Sequence, residues 1–66
     1  MEIEQYVGKR VEIIDSDGKV WTGDVVGFIR AVDNEPEIDE IDLKVNGERV
    51  LYSFSEADIS EIKVIN

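Results

Sequence analysis

The sequence predicts an all-β protein, a small five-stranded bent barrel with a short N-terminal helix. Three observations predict it. First, the stretch GKRVEIIDSDGKVWTGDV (residues 8–25) holds two apolar runs, Val11/Ile13 and Val20/Trp21/Val25, around the turn Asp15-Ser16-Asp17-Gly18. Asp-Gly between two β-type runs is a strong local hairpin signal. Second, Gly23 sits inside the second run, where a glycine marks a sharp bend or a close backbone approach. Third, Asn46-Gly47 supplies another hairpin turn between alternating segments.

The elements follow in order. Ile3, Tyr6 and Val7 stand at i, i+3 and i+4, which suits one or two turns of helix ending near Gly8. Strand one is expected at 10–14, with Val11 and Ile13 on one face. Strand two is expected at 19–32. Trp21, Val25 and Ile29 share a parity with Gly23 and Gly27, and Val20, Val26 and Phe28 take the other. A polar loop with the only proline follows, Asp33-Asn34-Glu35-Pro36-Glu37. Strand three is expected at 38–45 and strand four at 48–54, with Val50, Tyr52 and Phe54 on one face. Ser55-Glu56-Ala57-Asp58 suits a single capped helical turn. Strand five is expected at 59–65, with Ile62 and Val64 alternating against Glu61 and Lys63. This order outlines an SH3-like barrel, one domain over residues 1–66.

Composition narrows the function. A chain of 66 residues buries only about 60% of its unfolded surface. It has no cysteine and no histidine, so disulfides, thiolate metal sites and the usual catalytic base are absent. Sixteen acidic residues against seven basic give a net charge of −9, a field that repels phosphate. Yet 42% of residues are apolar and well spaced, so the chain is not a disordered acidic tail. It shows no signal-peptide stretch and no run of 18 apolar residues, and a cytoplasmic protein is expected.

The first hairpin carries a family resemblance. Gly8-Lys9, Val11, Ile13, Asp17-Gly18, Trp21, Gly23 and Val25 fall on a pattern similar to the first motif of the Sm-like (LSm) proteins. The layout matches over nearly the whole chain, the motif only over strands one and two. The chain resembles a divergent, bacterial-type branch of that family. The resemblance implies the barrel and a ring in which strand four of one subunit pairs with strand five of the next. It does not carry over the family's uridine-rich RNA pocket. Ile41-Asp42-Leu43 fits the strand after the first RNA loop, but the family's Asn position reads Glu40 and its Asp position reads Ile29. The second loop's Ile-Arg-Gly reads Phe54-Ser55-Glu56.

The remaining candidates are weighed on chemistry. The acidic loop 33–40 (Asp33, Glu35, Glu37, Asp39, Glu40) could supply oxygens to calcium, but it lacks an EF-hand ligand order, and a solvated loop is the simpler reading. Trp21 suits a core or rim position more than an exposed platform. Leu51, Tyr52, Ile62, Val64 and Ile65 are the candidate subunit contacts. Ser16, Ser53, Ser55 and Ser60 have no histidine base, and Lys9 has no evident desolvating pocket, so no enzyme, cofactor or small-molecule substrate is expected. The expected function is binding, as an oligomeric protein-interaction module or adaptor whose partners are itself and another protein. Two alternatives stand beside it. One is an RNA binder using a patch built from Lys9, Arg10, Lys19, Arg30, Lys44, Arg49 and Lys63. The other is an acidic mimic of nucleic acid.

Overall fold

A computed structural model describes residues 2–33 and 37–65. Five strands form one antiparallel sheet: β1 (Arg10–Asp15), β2 (Val20–Ile29), β3 (Glu40–Val45), β4 (Leu51–Ser55) and β5 (Ile59–Val64). Their order across the sheet is β4-β3-β2-β1-β5. A 3-10 turn, Ile3–Tyr6, precedes β1, a second, Ala31–Asp33, follows β2, and a third, Glu56–Asp58, joins β4 to β5. The core draws on all five strands and the first turn: Ile3, Val11, Ile13, Val25, Ile41, Leu43, Phe54 and Ile59. Tyr6, Trp21, Phe28, Val45, Tyr52 and Ile62 pack around it, half-buried.

The N-terminal turn is a single 3-10 turn. Ile3 is buried completely, while Val7 is exposed. Gly8, in the left-handed region at φ 82°, ends it and leads into β1. The first hairpin closes tightly: Gly18 N–H donates to the Asp15 carbonyl, and Asp15 N–H to the Lys19 carbonyl, both at 2.9 Å. The tetrad 55–58 forms its helical turn with a capping box, Ser55 and Asp58 each bonding the other's backbone.

Several expected strand bounds and faces need correction. Strand two ends at Ile29, not at 32, because Ala31–Asp33 winds into a 3-10 turn. Its parity also changes midway. Val25 pairs with Leu43, but Gly27 pairs with Asp42, so Val26 is an extra residue with no partner in the register. That bulge turns Phe28, opposite Ile41, toward the core, and leaves Val26 exposed. Ile29 therefore does not share the inward face of Val25.

The second hairpin is looser than a two-residue Asn-Gly turn. Glu48 N–H does donate to the Val45 carbonyl at 3.1 Å, and Gly47 takes φ 78°. No described non-glycine residue has a positive φ, so Asn46 lacks the geometry of a type I′ turn. Pairing begins only at Lys44–Leu51. Strand four is therefore 51–55 rather than 48–54, and Val50 lies in the loop, 56% exposed, instead of beside Tyr52 and Phe54 in the core. Strand three is likewise shorter than 38–45, starting at Glu40.

Gly23 belongs to a regular part of β2, paired with Val11 and Val45. A Cβ there would strike the Lys44 carbonyl, with Lys44 C at 2.8 Å and Val45 Cα at 2.9 Å. The glycine serves close approach of backbones, and the strand's irregularity falls three residues later.

Candidate interaction site

Two regions concentrate unusual features: the outer edges of the sheet, and a groove between its two hairpin turns. The edges come first. β4 and β5 are the end strands, so each leaves one row of backbone groups outside the ladder. Asn46 N–H donates to Thr22, so alternation points Ile41 and Leu43 at β4, and their partners Phe54 and Tyr52 point back. The amides of Leu51 and Ser53 thus face outward. On the other side, Ile65 N–H donates to Arg10 at 3.0 Å, so alternation turns the amides of Ile62 and Val64 outward. Exposed apolar side chains accompany both rows: Leu51 is 52% exposed, Val64 44% and Ile65 40%.

Of the five candidate contacts, Leu51, Val64 and Ile65 thus lie open on the surface. Ile62 is half-buried against the core. Tyr52 turns its ring toward Trp21, with centroids 5.0 Å apart.

The groove encloses about 460 Å³ beside the two turns. Trp21 and Tyr52 form its aromatic wall, with Phe54 edge-on to the indole at 5.3 Å. Trp21 is therefore a rim residue with one side packed. Its indole N–H donates to Asp15 Oδ2 at 2.9 Å. Asp15 Oδ1 accepts the backbone N–H groups of Asp17 and Lys19, both at 2.9 Å. The indole bond, followed by that from Lys19, holds the Asp15 carboxyl below the usual aspartate range. Lys19 Nζ lies 4.2 Å from the centroid of the Trp21 ring. Across the groove, the Tyr52 hydroxyl donates to Glu48 Oε1 at 3.3 Å. The charge on Glu48 is the main cause that raises the Tyr52 phenol.

The sequence pointed to Trp21, and to Lys19 only as a member of a basic patch; it marked neither the stacking of Lys19 on Trp21 nor Glu48 beside them. A signal existed: Lys19 and Trp21 stand two apart, and strand alternation puts such residues on one face.

The four positions aligned with an RNA pocket come together at the other end of the sheet. Ile29 pairs with Glu40, and Glu40 with Ser55. Glu56 N–H donates to the Asp39 carbonyl at 3.1 Å. Asp39 Oδ1 accepts Ala31 N–H at 2.7 Å, and Asp58 Oδ2 accepts Ser55 N–H at 3.1 Å. Carboxylates of Asp39, Glu40, Glu56 and Asp58 thus belong to this one end. In the acidic loop, residues 34–36, Glu35 among them, lie outside the described residues. Among the described residues no three carboxylates converge as for a metal ion.

Two of the basic residues, Arg10 and Lys63, are engaged by acidic neighbours. Arg10 pairs with Asp24 at 3.4 Å and donates to Asn46 Oδ1 at 2.6 Å. Lys63 pairs with Glu12 at 3.5 Å. Among the described residues no helix is long and apolar enough to cross a membrane. Comparison with protein-family models, with curated proteins and with solved structures finds no match for this chain.

Proposed function

We propose that this chain is an SH3-like barrel of the Sm-like kind that acts by binding and assembles with copies of itself. The strand order β4-β3-β2-β1-β5, the turn before β1 and the single 3-10 turn between β4 and β5 support the barrel reading. One observation carries the functional reading. The same molecule offers two unlike open edges, with outward amides at Leu51 and Ser53 on one and at Ile62 and Val64 on the other. Open edges are templates for strand addition. Pairing β4 of one copy with β5 of the next is a head-to-tail contact, and it closes into a ring if the rotation closes. Leu51, Val64 and Ile65 would then leave water.

Binding rather than catalysis follows from chemistry. A chain without histidine or cysteine has few means to activate a nucleophile. A protein partner is favoured over RNA. Carboxylates occupy the end of the sheet where bases would be read, and Arg10 and Lys63 are tied to carboxylates. The test is mass by light scattering at high micromolar concentration, for the wild type and for the double variant Leu51→Lys/Val64→Lys. The wild type should show a multiple of the 7.5 kDa chain, and the folded double variant should fall to the monomer. A monomeric wild type, or a variant that keeps the larger mass, would contradict the proposal.

A further inference from the structure

The groove beside Trp21 is separate from the outward amide rows of the edges, and its contents point to a ligand. The chain's own Lys19 ammonium already lies on the indole face. An ammonium over a tryptophan face is attracted by the ring quadrupole, most strongly for tryptophan among the aromatics. Two carboxylates border the same aromatic pair. Asp15 holds the indole N–H and Glu48 holds the Tyr52 hydroxyl. Thr22 and Asn46 add polar groups to the lining, and Val20 and Val45 apolar ones. The walls thus offer aromatic faces and negative charge, the complement of an aliphatic stem ending in an ammonium. The net charge of −9 draws cations toward the molecule from a distance.

We propose that this groove receives a lysine side chain from a basic segment of a partner protein, and that Lys19 is an internal occupant of the same place. Lys19 is exposed and reaches the ring from the turn that borders the groove, so an incoming ammonium displaces it without disturbing the core. Its own charge opposes the incomer until it leaves. Lys19 therefore lowers affinity for the partner, although it lines the site. A purely structural lysine would have no such effect.

Trp21 is the only tryptophan, so its fluorescence reads the groove directly. The probe is an N-terminally acetylated tetralysine amide, titrated into the full chain, with the same peptide acetylated also at its four Nε atoms as the neutral control. Saturable change with tetralysine, weakened by salt and absent with the neutral control, is the expected result. Glu48→Gln should weaken binding about two- to fivefold, and Lys19→Ala should tighten it by a similar factor, the scale of one exposed cation–π contact. Lys63→Ala removes the same charge from β5, outside the groove, and should change affinity less. All variants alter surface residues, and circular dichroism checks that each remains folded. No saturable change, weaker binding by Lys19→Ala, or equal effects of Lys19→Ala and Lys63→Ala would overturn the proposal. The last outcome would reduce the attraction to net charge alone. These readouts use Trp21 and single-chain binding, so they stand whether or not the edges assemble.

Discussion

Asp15 ties the first hairpin together through one carboxylate. One oxygen accepts two turn amides and the other accepts the Trp21 indole. All three bonds favour the ionised form, so its pKa in the fold lies below that in the unfolded chain. The sign of the linkage follows. Stability from Asp15 is present above its unfolded value, about pH 4, and is lost as pH falls through the lower folded value. In thermal melts, Asp15→Asn should therefore trail the wild type at pH 7, and the gap should narrow as pH drops toward 2. A gap of constant size across that range would show that the carboxylate's charge has no part in holding the turn. Trp21 emission, followed through the same titration, should change with Asp15 protonation.

At the scale of the elements, the contact between β2 and β3 at Gly23 is the tightest constraint. The atoms that a Cβ would strike are backbone atoms of a paired strand, so no side-chain rotation relieves the clash. Gly23→Ala should cost about 1–3 kcal/mol, the scale of overpacking. That is a large share of the roughly 3–10 kcal/mol typical of a chain this size. An unchanged denaturation midpoint would refute the close approach. This glycine was legible in the sequence because it interrupts an apolar strand. The Asp17-Gly18 hairpin and the 55–58 capped turn were legible too, since local hydrogen bonding decides them. Two features were not. The run Val25-Val26-Gly27-Phe28 is apolar on both parities, so alternation could not locate the bulge at Val26 that turns Phe28 inward. The Asn46-Gly47 turn is set by distant partners: Asn46 accepts from Arg10 and donates to Thr22. Those contacts hold Asn46 beside β2, and strand four resumes only at Leu51. The groove was hidden for a similar reason. Trp21 meets Tyr52 and Phe54 across β3, 31 and 33 residues away in the chain.

For the whole molecule, self-assembly is the claim on which the functional account rests. A single small sheet with two unlike bare edges keeps exposed apolar side chains beside both. An acidic surface limits non-specific association but does not oppose backbone pairing at two short, largely uncharged segments. The most direct test is amide hydrogen exchange followed by NMR at high and low protein concentration. The amides of Leu51, Ser53, Ile62 and Val64 should be protected at high concentration and exchange freely on dilution. Those of Ile13 and Leu43, inside the sheet, should stay protected throughout. If the four edge amides exchange rapidly at every concentration, β4 and β5 do not pair between copies, and the account of assembly is wrong.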